Sequence, residues 1–256
     1  MATTTPKVCL IKTDGTNCDE ELKFAFELAG AKVKTVHINE LRNKTDSLKN
    51  YQILGLPGGF SYGDDVASGK VLAIELSSYL SSEIKNFVDK QKGLVIGICN
   101  GFQTLVRTGL LPYNELGKMS VTLTDNDCGH FVCRPINLSV EKNHKCVFLQ
   151  NLKGPVTYHT AHGEGKFMAP PQTLAKIEKD NLVVFRYTDI NPNGSPNNIA
   201  GITDTTGHIL GLMPHPERAV LKTQFSNWRR NPDQKPDGLE VFQKMVEYFK
   251  CRTSVR

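Results

Sequence analysis

No stretch of this 256-residue chain stays apolar for long. The longest such run, around Leu94 to Cys99, falls far short of the roughly 18 to 20 residues a helix needs to cross a bilayer, so a helical membrane span is excluded, and no membrane partner is expected. Paired cysteine motifs are lacking: the seven cysteines, at positions 9, 18, 99, 128, 133, 146 and 251, are scattered, with no Cys-x-x-Cys pair. The odd count and irregular spacing argue against a disulfide framework or a zinc ribbon and suit a reducing compartment. Charge of one sign is not concentrated either. Lys and Arg number 31 against 26 Asp and Glu, a formal +5, but no basic block of about 5 to 8 residues exists, so no nucleic-acid partner is expected. The first residues, Met1 to Lys7, have neither the basic start nor the apolar centre of a secretory leader, and a cytoplasmic location is expected. The sequons at Asn43 and Asn137 carry no weight in that setting. No internal repeat or low-complexity tract breaks the pattern.

What is present is an ordinary globular mixture, 39% hydrophobic and 22% charged, and it reads as a single domain over residues 1–256. From Lys7 to Leu110 short apolar runs alternate with helical stretches, the signature of βαβ units and a parallel sheet. Strands are expected at Val8 to Ile11, Lys32 to Ile38, Gln52 to Leu56 and Leu94 to Ile98. Helices are expected at Asp19 to Ala29 and, as one long element, at Asp65 to Gln91. After Pro112 the texture becomes strand-like, with runs at Met119 to Leu123, Phe131 to Val140, Val156 to Ala161, Leu182 to Tyr187, Ile199 to Thr203 and Ile209 to Met213. An amphipathic helix, Gly238 to Cys251, ends the pattern. The fold class is therefore α/β: a three-layer, flavodoxin-like, mostly parallel sheet flanked by helices, with additional antiparallel strands in the C-terminal half.

Three segments could carry chemistry. In Gly97-Ile-Cys-Asn-Gly-Phe-Gln103 a thiol sits between glycines two residues away on each side, where an apolar strand gives way to a helix. That is the arrangement of a nucleophile elbow, and the helix N-terminus would favour a thiolate at Cys99. In Met213-Pro-His-Pro-Glu-Arg218 the prolines bias the chain toward extended geometry, in which His215 and Glu217 point the same way. A cysteine nucleophile needs such a base and a group to orient it. By itself the first motif also suits an inert buried cysteine and the second a proline-rich turn; together they favour a catalytic pair brought together by folding. In Leu56-Pro-Gly-Gly-Phe-Ser-Tyr-Gly-Asp64, at another strand end, the glycines could offer an N–H to a developing oxyanion, with the N–H of Asn100 as the second donor.

Two further motifs are set aside. Ser68-Gly-Lys70 lacks the spacing of a phosphate loop, and Val71 stands where a magnesium-binding hydroxyl is required. His159, His162 and Glu164 in Tyr158-His-Thr-Ala-His-Gly-Glu-Gly165 do not share one face of a strand and have no fourth ligand, so no metal is expected, and a polar rim to the active site or a subunit contact is the better reading.

Taken in this order, these segments resemble the class I, or triad, glutamine amidotransferases. The Gly-Gly-Phe-Ser-Tyr-Gly-Asp and Ala161-His-Gly-Glu-Gly165 segments narrow the likeness, which runs from the Asp14-Gly-Thr-Asn17 loop over nearly the whole chain, to the glutaminase subunits of phosphoribosylformylglycinamidine synthases. The resemblance implies Cys99 as nucleophile, His215 as proton shuttle and Glu217 as the carboxylate that orients it. It implies an oxyanion hole from the N–H groups of Gly59 and Asn100, and contacts from Gly58 and Gln103 to bound L-glutamine. It also implies two partners, a synthetase subunit and a small accessory one, with ATP and magnesium on the synthetase and no cofactor in this chain. Cys128 and His130 depart from the serine and arginine of the family pattern. The cluster Trp228, Arg229 and Arg230, on a loop spanning Thr223 to Asp237, is a candidate partner contact because Trp and Arg are over-represented in interface hot spots. A freestanding cysteine hydrolase of γ-glutamyl compounds and a non-catalytic regulatory subunit remain as alternatives.

Overall fold

The computed structural model describes residues 5–233 and 235–253. Gln234, in the 223–237 loop, and the first four residues lie outside the described residues. The chain runs through β1 (Lys7–Lys12), α1 (Asp19–Leu28), β2 (Lys32–His37), α2 (Ile38–Arg42), β3 (Ile53–Leu56), α3 (Lys70–Ser78), α4 (Ser81–Lys85), β4 (Leu94–Ile98) and α5 (Asn100–Thr108). Then follow β5 (Thr122–Thr124), β6 (Val132–Val140), β7 (Val156–His162), β8 (Lys166–Met168), α6 (Pro171–Lys179), β9 (Val183–Tyr187), β10 (Ile199–Thr203), β11 (Ile209–Leu212) and α7 (Leu239–Thr253).

Nine strands form one sheet in the order β2-β1-β3-β4-β11-β10-β9-β6-β7, and β5 pairs with β8 separately. From β2 to β11 every neighbour is parallel; from β11 to β7 every neighbour is antiparallel. The uninterrupted apolar runs of β3, β4 and β11 are buried along their whole length, as strands covered by helices on both faces must be. Their registers place Leu56 beside Gly97 and Ile98 beside Leu212, so the carboxyl ends of three adjacent strands finish at one level. That edge is where open α/β sheets hold ligands.

Two expectations need correcting. The single helix anticipated over Asp65 to Gln91 is three pieces: α3, α4 and a π-helical turn at Asn86–Lys90. It starts late because Gly69, at φ +71°, packs so closely that a Cβ would lie 2.7 Å from Thr104 Oγ1. It breaks where the hydroxyls of Ser77 and Ser81 donate to the carbonyls of Ala73 and Ser78, competing with the helix's own bonds. Sequence reading also missed α6, which opens with proline at its first position and buries only Ile177, too thin an apolar face to stand out.

Candidate active site

Cys99 is the residue between β4 and α5, and its backbone is forced to φ +53°, a conformation rare for a side chain other than glycine. Two glycines make this turn possible. A Cβ at Gly101 would lie 2.0 Å from the Leu56 carbonyl oxygen, and one at Gly97 would lie 2.6 Å from that of Gly101, so only glycine lets α5 settle directly over β3 and β4. The thiol is 6% exposed, and Sγ approaches the Ala161 carbonyl oxygen at 3.7 Å. Asn100 begins α5, and the first N–H groups of a helix lack an intrahelical acceptor.

From the neighbouring strand end, β11, the chain enters Pro214–Arg218. His215 Nδ1 lies 2.5 Å from Glu217 Oε1, and both residues are about 1% exposed. Nε2 makes no hydrogen bond of ordinary geometry, although the Cys99 thiol is close enough to act on the ring's charge. Burial works against a charged ring, but the Glu217 carboxylate first and the Cys99 thiol second outweigh it, and the His215 pKa is raised. The His215 N–H also donates to the His159 carbonyl at 2.7 Å, so β7, the far strand of the sheet, returns to brace the histidine.

From the strand end on the other side, β3, comes Pro57 to Asp64. Gly58 and Gly59 divide the labour differently from the expectation. A Cβ at Gly58 would meet His215 Cε1 at 2.8 Å, so this glycine makes room for the imidazole, and it does not line the cavity. Gly59, at φ +121° and bridged to Thr16, does line it together with Cys99 and His215.

These residues open into a cavity of about 760 Å³, a size that suits a small-molecule substrate. Gln103 lines it, with one N–H of Nε2 donating to the Glu164 carbonyl at 2.7 Å and Oε1 accepting from Asn100 Nδ2 at 3.1 Å, which leaves its second N–H and second lone pair for a ligand. The opposite wall contains Asp125, Gly129, His130 and Phe131 with Ala161 to Glu164. His130 therefore borders the cavity, while Cys128 does not. His162 is buried, bonded through Nδ1 to Asn126 Oδ1 at 3.0 Å, and desolvation pushes its pKa down to about 4.

Cys18, Glu21 and a ring nitrogen of His215 lie within 4.8 Å of one another, a grouping that could hold a metal ion. A cation already belongs to it, because Arg218 donates to Glu21 Oε1 at 2.7 Å and to Cys18 Sγ at 3.1 Å. Trp228 is half-buried and packed against the core, with the Arg229 guanidinium 5.1 Å from its ring centre, while Arg229 and Arg230 are exposed. None of the three touches the cavity. Reading the sequence did not single out Ser61, Asp64, Asn126, Asn193, Cys18 or Arg218. Ser61 and Asp64 lay within a segment already quoted, and Asn126 and Asn193 sit in loops whose polar residues look solvated until the fold buries them.

Residues 5–249 match the family of CobB/CobQ-like glutamine amidotransferase domains. The chain belongs to this family. A relative from Dehalococcoides mccartyi, phosphoribosylformylglycinamidine synthase subunit PurQ, is 43% identical over 94% of this chain and 97% of its own. The PurQ subunit of Archaeoglobus fulgidus is 37% identical over 95% of this chain and 97% of its own. Among solved structures, a chain of the PurLQS assembly from Thermotoga maritima superposes with a TM-score of 0.74 at 31% identity, covering 96% of this chain and 99% of that one. Among the described residues no helix is long and apolar enough to cross a membrane.

Proposed function

We propose that this chain is the glutaminase subunit of a phosphoribosylformylglycinamidine synthase. It hydrolyses L-glutamine to glutamate and ammonia, and the ammonia passes to a synthetase subunit that converts formylglycinamide ribonucleotide to its amidine in purine biosynthesis. The observation that carries the reading is the strained Cys99 elbow and His215 lining one cavity, with the imidazole backed by the buried Glu217 carboxylate. Kinship to PurQ subunits supports the substrate and the partner. Residues 1–256 act as one amidotransferase domain, a reading supported by the nine-stranded sheet that runs through both halves. ATP and magnesium belong to the synthetase, a small accessory subunit completes the complex, and the setting is the cytoplasm.

The chemistry follows from the groups present. The Cys99 sulfur attacks the side-chain amide carbon of glutamine, and the oxyanion is received by the N–H groups of Gly59 and Asn100. A His215 ring whose pKa is raised holds a proton near neutrality and gives it to the departing ammonia, leaving a glutamyl thioester. The same ring then takes a proton from water, whose attack releases glutamate and frees the thiol. Glu217 Oε1 keeps Nδ1 as the inward donor, so that Nε2 is the edge that exchanges protons.

The test is glutamate release by wild type and Cys99→Ala, each with and without a synthetase preparation. Turnover that rises with the synthetase and falls by at least about 10⁴-fold in Cys99→Ala is the expected result. Cys99-dependent turnover indifferent to the synthetase would instead mark a freestanding hydrolase, and no Cys99-dependent turnover in any mixture would mark a regulatory subunit.

A further inference from the structure

The two proposed oxyanion donors come from different elements, Gly59 from the loop after β3 and Asn100 from the first turn of α5, and something must hold their spacing. Four hydrogen bonds fix the Asn100 side chain, three of them to the loop and one within α5. Ser61 Oγ donates to Asn100 Oδ1 at 2.6 Å, and the Ser61 N–H reaches the same oxygen at 3.4 Å. Asn100 Nδ2 donates to Asp64 Oδ1 at 2.9 Å and to Gln103 Oε1 at 3.1 Å. Both lone-pair directions and both N–H bonds of the Asn100 amide are thereby used, so this side chain has nothing left to offer a substrate. Its role is to tie loop to helix.

The loop is bent to make that tie. Tyr62, Gly63 and Asp64 follow one another at φ +56°, +69° and +54°, a region that glycine and, less readily, aspartate tolerate but that the Tyr62 side chain disfavours. Such a run persists only where its surroundings hold it. Here the Tyr62 N–H donates to the Asp14 carbonyl at 2.7 Å, the Tyr62 hydroxyl donates to Glu75 Oε2 at 2.7 Å, and the Gly69 N–H donates to Asp64 Oδ1 at 3.2 Å. The result places one carboxylate oxygen of a half-buried aspartate against the Asn100 amide.

We propose that Asp64 is a positioning residue: acting through the Asn100 side chain, and assisted by Ser61, it sets the separation of the Gly59 and Asn100 N–H groups. The proposal rests on the reading of Cys99 as a glutaminase nucleophile. Asp64 matters to the step in which negative charge appears on the amide oxygen, more than to glutamine binding or to the thiol itself.

The experiment compares Asp64→Ala, Asp64→Asn and Ser61→Ala in the complex with the synthetase, measuring kcat and KM for glutamate release. Alongside, the rate of Cys99 alkylation by iodoacetamide, a reaction that forms no oxyanion, is followed on the Cys99 peptide by mass spectrometry. Asp64→Ala is expected to lower kcat by about 10²-fold, with KM and the alkylation rate changed by less than about threefold. Asp64→Asn is expected to recover most of kcat, because its amide oxygen still accepts from Asn100 and Gly69. Ser61→Ala should fall between wild type and Asp64→Ala. Wild-type kcat in Asp64→Ala overturns the proposal. So does a raised KM that Asp64→Asn does not repair, which would make the carboxylate a direct contact for glutamine, or an alkylation rate that falls in step with kcat, which would mean collapse of the site. Turnover that survives in Cys99→Ala fails the underlying reading instead and leaves the Asp64 result separately legible.

Discussion

The wall of the cavity that carries Cys99 and His215 grows from three parallel strands buried end to end, whereas the opposite wall, within residues 125–131 and 161–164, is held by buried amides and a histidine. On the first wall close packing leaves no freedom: backbone lies directly on backbone at Gly97 and Gly101. On the second, Asn126 accepts from His162 Nδ1 and the Gly165 N–H and donates to the carbonyls of His130 and His162. Asn193 continues the network to the Gly165 carbonyl and the Tyr187 hydroxyl. A wall made of packing responds to volume, and a wall made of buried polar groups responds to protonation and to lost partners.

Glycine substitution is the strongest way to separate the two. In Gly101→Ala the new methyl would lie 2.0 Å from a backbone oxygen that cannot move without shifting β3, and a loss of about 3 kcal/mol or outright failure to fold is expected. Gly129→Ala, at φ +68° with open space around it, should cost only about 1 kcal/mol. Urea unfolding midpoints of the two variants make the comparison; equal losses would mean that the walls do not differ in packing.

Acid is the next lever, and it acts on the polar wall. His162 has its pKa pushed down to about 4 by burial, against an ordinary value of 6.5. Between those values the unfolded chain takes up a proton that the folded one refuses, so stability falls as the pH drops from 6.5 toward 4. This group accounts for about 3 kcal/mol of that loss. His162→Gln should remove that part of the slope, whatever it does to stability at neutral pH. Parallel stability-versus-pH curves for variant and wild type would show that His162 is not the group responsible.

The smallest effect is expected away from both walls. Trp228 is half-buried beneath Arg229, and as a contact for the synthetase it should contribute modestly: Trp228→Ala is expected to weaken subunit binding by about tenfold. Unchanged affinity in a titration would remove the 223–237 loop from the interface.

The same contrast explains what could be read from the chain before its fold was seen. Strands β3, β4 and β11 announce themselves as unbroken apolar runs because both of their faces are covered, and Cys99, His215 and Glu217 stand beside glycines and prolines that punctuate the ends of those runs. The polar wall has no such periodicity. Asn126, Asn193 and Asp64 look like loop residues in any linear reading, and part of what fixes each comes from segments 28 or more residues away. The long helix expected at Asp65 to Gln91 failed for a related reason. Periodicity registers the apolar face, but not the serine hydroxyls that bond to the carbonyls of the preceding turn or the crowding of Gly69 against Thr104.

The order of residues by itself determined the α/β class, the positions of the central strands and the three chemical groups of the candidate triad, because each depends on local pattern: apolar runs, turn residues and the bias that proline places on its neighbour. Only the tertiary structure decided that Gly58 shelters an imidazole while Gly59 faces the cavity, that Gln103 is anchored by Glu164 and Asn100 at the cavity's edge, and that Arg218 occupies the cluster of Cys18, Glu21 and His215. These are matters of distance between elements remote in the chain. A single sequence records which groups are available, and packing selects which of them meet.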